Sequence, residues 1–325
     1  MRRLVLSLAL LALAGCARKP TDSVRIAIGG QAQLIYLAAT LADELGYYRD
    51  AGVAVSLIDF PGGAKALEAV LGGSADVVCG FYDHTIQMAA QGRDLRAFVA
   101  MLRYPGLVLV AASPGINRIE DLKGRTLGVS AAGSSTHLLL NHLLVTHGLK
   151  PDDASTASIG MSATAVAAVT RGKVDAAIMT DPALAIARKQ LPSLRILADT
   201  RTAKGVRATF GVVSYPSAVL YSTRAWQDAH SESTRSLARA ILRTLDWMRT
   251  HSPEEIRARM PASFRTDDPG MDLEGLRSLQ NMLSPDGRIT PESADAVHQV
   301  LRVSLEAVRT NAIDVAATHT DQFLK

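Results

Sequence analysis

The segment Gly133-Ser134-Ser135-Thr136-His137 holds the densest set of groups able to grip a small polar solute. Three hydroxyl side chains follow a glycine and open an apolar stretch with helical spacing. The first N–H groups of a helix lack intrahelical partners, and the dipole places roughly half a positive charge there. Backbone and hydroxyls together suit a carboxylate, a sulfonate or a phosphate. The same serines and threonine also serve as an ordinary helix cap. Gly30 and Gln31 close an earlier apolar run, where glycine permits close backbone approach and the glutamine offers a donor and an acceptor. Tyr82 and Asp83 follow the run Ala75–Cys79, with an aromatic face to wall a ligand and a carboxylate to accept from an amine or cap the next helix. Thr180 and Asp181 stand at the corresponding place further on, where Asp181 before Pro182 reads as an N-cap. An anion held at Gly133–Thr136 and an amine held by Asp83 or Asp181 would make a zwitterion site.

Other chemistries find little support. His137, His142 and His147 recur every five residues, about 500° of helical rotation, so they share no face and do not suit a metal. The chain has no HExxH, CxxC pair, Gly-x-Ser-x-Gly or phosphate-loop motif. No cofactor is expected. Of the two cysteines, Cys79 lies in an apolar strand pattern and reads as a buried small hydrophobe. The net charge of +4 includes Arg2 and Arg3, and no basic block offers a footprint for nucleic acid.

The elements that must position these groups alternate. Val24–Ile28, Val53–Ile58 and Ala75–Cys79 read as strands, separated by helical stretches at Leu34–Leu45 and Ala64–Leu71. The order repeats between Thr126 and Asp181, with strands at Thr126–Val129, Ala157–Ile159 and Val174–Met179 and helices at Thr136–His147 and Ala163–Arg171. Gly73 with Gly172, and Asp76 with Asp175, share an offset of 99 positions. Alternation of this kind implies parallel sheets covered on both faces, and two such units imply two similar lobes. Open α/β sheets bind ligands beyond the carboxyl ends of their strands, so both sets of strand-end loops should line one cleft. Pro61-Gly62-Gly63 lies at such an end and reads as a plain turn. Phe98–Ala111 carries the chain across, and the strand-like Phe210–Leu220 carries it back. A helix Ala183–Gln190 and a strand Leu194–Ala198 complete the second lobe, and helical stretches beyond Thr223 should pack on the first. The expected limits are 24–110 for the first lobe, 111–212 for the second and 213–325 for the return and C-terminal helices.

Residues 1–15 combine a positive start, a short apolar run and a small-residue exit, the pattern of an export signal too short to span a bilayer. Leu13-Ala14-Gly15-Cys16 resembles a bacterial lipoprotein processing site. The resemblance implies cleavage before Cys16, lipidation of that cysteine, and a linker over 16–23.

Several short pieces in order, among them Glu44-Leu45-Gly46-Tyr47-Tyr48, Gly73-Ser74-Ala75-Asp76, Asp121-Leu122-Lys123-Gly124-Arg125, Gly133-Ser134-Ser135-Thr136-His137 and Gly172-Lys173-Val174-Asp175, resemble the substrate-binding proteins of nitrate/sulfonate/taurine-type ABC importers. These share a fold with proteins of thiamine-precursor synthesis. The resemblance implies a two-lobed type II periplasmic-binding fold and a monomer without catalysis. It further implies a small organic ligand, such as a sulfonate or carboxylate, and partnership with a membrane permease and its ATPase. A synthase of the same fold and a ligand-presenting sensor are the alternatives. Phe81, Tyr82, Tyr104, Phe210 and Tyr215 near strand ends favour an organic ligand over bare nitrate.

Overall fold

A computed structural model describes residues 23–325, so the export signal and Cys16 lie outside the described residues. The strands are β1 (Val24–Gly29), β2 (Val55–Phe60), β3 (Val77–Phe81), β4 (Leu95–Ala100), β5 (Val108–Ala111), β6 (Thr126–Val129), β7 (Ser155–Ser158), β8 (Ala176–Met179), β9 (Arg195–Asp199) and β10 (Ala218–Thr223). They form two five-stranded sheets, ordered β2-β1-β3-β10-β4 and β7-β6-β8-β5-β9. In the first, β10 runs antiparallel to its neighbours; in the second, β5 does. The other pairings are parallel.

The two sheets are one design used twice. β1, β2 and β3 correspond to β6, β7 and β8, and in each sheet the antiparallel strand is the one laid down directly after the chain has crossed. The aspartates at the 99-residue offset explain part of the likeness. Asp76 Oδ2 accepts from the Arg25 amide at 2.8 Å and its own amide donates back to Arg25 O at 2.9 Å. Asp175 Oδ2 accepts from the Thr126 amide at 2.9 Å, and its amide donates to Thr126 O at 2.7 Å. Each aspartate thus closes the amino end of the corresponding strand, β1 in the first lobe and β6 in the second.

The crossing occurs earlier than the apolar pattern suggested. Val108 already pairs with Met179 and Asp199 in the second sheet, so the boundary expected at 110 falls inside β5. The return also differs. Phe210 ends the helix Ala203–Phe210, which Gly211 stops in a left-handed conformation (φ 72°). Only from Ala218 does a strand form. Phe210 instead stacks on Tyr215, with centroids 4.6 Å apart, and an apolar packing residue has the same composition as a strand residue. The two crossing segments are bonded side by side, Tyr215 N to Arg103 O at 3.2 Å and Ser217 N to Leu102 O at 3.1 Å.

The C-terminal helices begin where proline and cap chemistry dictate. Ser252 and Glu255 form a capping box ahead of Pro253–Arg259, Asp268 caps Pro269–Met282, and Thr290 caps Pro291–Ser304. The helix Ser231–Thr250 packs on the first lobe as expected. Pro291–Ser304 does not confine itself to that lobe: His142 of the second lobe meets Val300 O at 3.3 Å, so this helix bridges both. Among the described residues, no helix is long and apolar enough to cross a membrane.

Candidate functional site

The carboxyl ends of β1, β2, β3, β6 and β8 face one another across the seam between lobes. Two helix N-termini meet there, those of Gly63–Leu71 from the first lobe and Ser135–Thr146 from the second. Ser134, the N-cap of the second helix, makes no capping bond to its own helix. Its Oγ accepts instead from the Ala64 amide of the opposite lobe at 3.0 Å. Glycine makes this approach possible. A Cβ on Gly62 would lie 3.0 Å from Ser130 Oγ and 3.2 Å from Ser134 Oγ. A Cβ on Gly29 would lie 2.5 Å from the Gly63 amide nitrogen. The Pro61-Gly62-Gly63 turn is therefore a contact surface between lobes.

Ser135 Oγ donates to Asp83 Oδ1 at 2.7 Å, and the Tyr215 hydroxyl donates to Asp83 Oδ2 at 3.3 Å. Both bonds are buried. Burial pushes the Asp83 carboxyl above the usual carboxylate range, against the pull of His84 and of the two hydroxyl donors. The adjacent His84 is fully buried, and burial holds its imidazole below the ordinary histidine value, against Asp83. Its Nδ1 lies 3.0 Å from the Tyr221 hydroxyl, while Nε2 has no hydrogen-bond partner among the described residues.

Thr136 Oγ1 accepts from the Ser130 amide at 3.0 Å and lies 2.8 Å from Ser130 Oγ. Thr180 Oγ1 donates to Gln33 Oε1 at 3.0 Å, again across lobes, while Gln33 Nε2 donates to Gly29 O at 2.7 Å and Gly30 O at 3.0 Å. Gly29, Gln33, Ser130 and Thr136 border an inner cavity of about 20 Å³, completed by Gly63, Ser134, Ser135, the apolar Ile35, Leu107 and Met161, and the edge-to-face pair Tyr36–Phe81 (centroids 6.4 Å apart). Gly30 borders an outer vestibule of about 200 Å³ that shares Gln33 and Met161 with it.

The other residues singled out in the sequence go elsewhere. Gln31 is turned away, its amide donating to Asp59 and its side chain to Thr40; Gln33, two positions on, occupies the place expected of it. Tyr82 lies just past the end of β3, in helical conformation (φ −62°, ψ −33°) at the start of the next helix, and its hydroxyl meets Thr318 Oγ1 at 2.6 Å, away from the cleft. His137 Nδ1 accepts from the Gly133 amide at 3.1 Å and borders neither cavity. Asp181 does not cap: Pro182 is the N-cap of Ala183–Gln190. The Asp181 carbonyl takes the Leu34 amide at 3.0 Å, and its carboxylate pairs with Arg201 Nη1 at 3.2 Å, which Asp199 holds in turn. The carboxylate lines a separate groove of about 890 Å³ against the helix Pro269–Met282. The opposite poles expected for a zwitterion therefore do not stand apart, since Ser135 and Asp83 bond each other and Asp181 is engaged by Arg201, which it shares with Asp199. Gln33, Ser130, Tyr36 and Met161 were missed. Only the glycines around Gln33 and the position of Ser130 after β6 marked their neighbourhood.

Two lobes joined by two crossings, with strand-end loops facing each other at the seam, form the periplasmic binding-protein fold. The chain belongs to the NMT1/THI5-like family, whose model matches residues 35–256. A solved protein of Bordetella bronchiseptica RB50 is 35% identical and superposes with a TM-score of 0.88 over 93% of this chain and 95% of that one. A putative aliphatic sulfonates-binding protein of Escherichia coli K12 is 32% identical over 198 residues, 58% of this chain and 61% of that protein. A 4-amino-5-hydroxymethyl-2-methylpyrimidine phosphate synthase of Saccharomyces cerevisiae is 22% identical over 160 residues, 49% of this chain and 46% of the synthase. The match to the yeast synthases thus spans about half of their length.

Proposed function

We propose that this chain is the extracytoplasmic solute-binding component of an ABC importer. It would capture a small organic anion, a sulfonate or carboxylate, between its lobes and present it to a permease and ATPase. One observation carries the reading: two helix N-termini from different lobes converge on one small cavity bordered by backbone N–H groups and hydroxyls. The N–H groups of the first turns and the hydroxyls of Ser130 and Ser134 suit a compact anionic head. Asp83 lies behind Ser135 rather than in the cavity wall, and its shift toward the neutral form lessens the repulsion an anion would meet. The likeness to a sulfonate-binding protein supports the choice of solute class. The likeness to yeast synthases supports a pyrimidine solute as the second reading. Export and lipidation at Cys16 belong to the same proposal and rest on the leader pattern, and a monomeric state is part of it through the family resemblance.

The test is a thermal-shift screen of the purified chain against organic sulfonates, aromatic carboxylates, pyrimidines and nitrate. A ligand confined to the folded state adds about 2.7 kcal/mol at a hundredfold excess over Kd. With about 0.6 kcal/mol per kelvin of unfolding entropy for some 300 residues, that is roughly 4 °C. A sulfonate or carboxylate shift abolished by Ser130→Ala with Ser134→Ala supports the reading. Shifts from pyrimidines alone favour the second, and no shift from any class refutes both.

A further inference from the structure

We propose that Met161 sets the size of solute the cleft accepts, acting as a movable partition between the inner cavity and the outer vestibule. The proposal deepens the solute-binding reading above and rests on it for the ligand class.

Three neighbouring cavities have Met161 as a common wall: the inner cavity of about 20 Å³, the vestibule of about 200 Å³, and a groove of about 470 Å³ along the helices Ala163–Thr170 and Ala183–Gln190. Yet Met161 is itself buried, only 5% exposed, so it fills the junction rather than lining its rim. An inner cavity of this size admits about one water molecule. A sulfonate or carboxylate head is larger, so some part of the wall must give way.

Most of that wall is fixed. Gly29 and Gly63 are backbone against backbone, with no side chain to move. Ser134, Ser135 and Thr136 are tied to Ala64, Asp83 and Ser130, and Gln33 is held at three points. Tyr36 and Phe81 lock each other edge to face, and Ile35 and Leu107, the remaining apolar residues of the wall, are buried and branched, with fewer torsions than a methionine. Met161 makes no directional bond, and its unbranched thioether has three rotatable torsions, the most adaptable apolar side chain available. Gly30, at φ 94°, leaves the space beside it: a Cβ there would lie 3.4 Å from Met161 Cβ and 2.2 Å from Gln33 Nε2. Swinging Met161 outward joins the inner cavity to a vestibule ten times its volume. The head then sits among the serines, and the organic body extends past position 161. A stiffer or smaller residue there would change which bodies fit.

Two measurements test this, one independent of the ligand's identity. In a Cys16→Ser background, Ser130→Cys places a thiol in the inner cavity, and its labelling by methyl and benzyl methanethiosulfonate is followed, with the Ser130 parent correcting for buried Cys79. Met161→Ala should raise the benzyl-to-methyl rate ratio at least tenfold, and Met161→Leu, which keeps the volume but stiffens the side chain, should not. An unchanged ratio in Met161→Ala overturns the proposal. The second measurement, on chains retaining Ser130, is calorimetric binding of methane-, butane- and octanesulfonate. Met161→Ala should improve the octane-to-methane affinity ratio at least fivefold, and an identical chain-length profile overturns the partition. If the unsubstituted chain binds none of the three, the sulfonate class falls, and the labelling ratio alone decides the partition.

Discussion

Removing the Ser135 hydroxyl should loosen the closure of the two lobes more than it weakens either lobe. Ser135 opens the second lobe's helix, Asp83 opens a helix of the first, and their 2.7 Å bond is buried. A hydrogen bond to a charged partner contributes about 1.5–3 kcal/mol, and one left unmade in a buried setting costs a similar amount. Taking about 2 kcal/mol, Ser135→Ala should shift the closed-to-open equilibrium roughly thirtyfold toward open, at 1.4 kcal/mol per factor of ten. If closure and folding are coupled, the same loss lowers Tm by roughly 3 °C. The sign with pH follows from Asp83. Burial raises its carboxyl, and losing a donor that favours the charged form raises it further. The penalty is therefore largest where Asp83 is ionised and shrinks as pH falls and the carboxyl takes up a proton. Small-angle scattering reports the opening as a larger radius of gyration, and urea unfolding of Ser135→Ala, Asp83→Asn and the double variant gives the coupling. A coupling below about 0.5 kcal/mol, or a radius unchanged from the parent, would refute the idea that this bond holds the lobes together.

Three further outcomes are expected. Asp76→Ala and Asp175→Ala, one in each lobe, should each cost about 1–2 kcal/mol through lost bonds at a strand start, and their effects should add within about 0.5 kcal/mol because they share no partner; a strongly non-additive double variant in urea unfolding would contradict two separately closed sheets. Gly29→Ala drives a Cβ to 2.5 Å from the Gly63 nitrogen, backbone that cannot step aside, and should cost about 1–3 kcal/mol as overpacking; thermal unfolding unchanged from the parent would show that the lobe re-forms around it. His84 is held below the ordinary histidine value by burial, so the unfolded chain binds the proton first and stability falls as pH drops through about 6.5; His84→Asn should flatten the stability slope between pH 7 and 5 by up to about 1.4 kcal/mol per pH unit, and an identical slope would remove His84 from the pH response.

What the sequence showed clearly was whatever a local rule governs. Strand and helix order followed from apolar periodicity and glycine punctuation, and the aspartates at the 99-residue offset marked a real structural repeat, because each closes a strand start by the same pair of bonds. The cleft was legible only in outline. Ser134, Ser135 and Thr136 stand at the seam because a strand-to-helix loop must sit there. Thr136 meets Ser130, six residues before it, but the groups that Ser134 and Ser135 meet belong to the other lobe, fifty to seventy residues away in the chain. Gln31 and Gln33 are the same residue type two positions apart, and the turn at Gly30 decides which of them faces the cavity. Tyr82 was misplaced because the strand ends at Phe81 and the chain turns directly into a helix, a change of backbone the apolar pattern did not mark. Met161 carried no motif at all. Its place at the junction of three cavities comes from the approach of its loop to Gly30 of the other lobe, and a methionine between Gly160 and Ser162 looks the same in the sequence whether it fills a core or a doorway. The elements that hold the site are thus written locally, while selectivity lies in side chains that acquire a role only when the two lobes meet. It follows that substitutions at the seam should alter closure and solute range together, whereas those at the strand starts should alter stability alone.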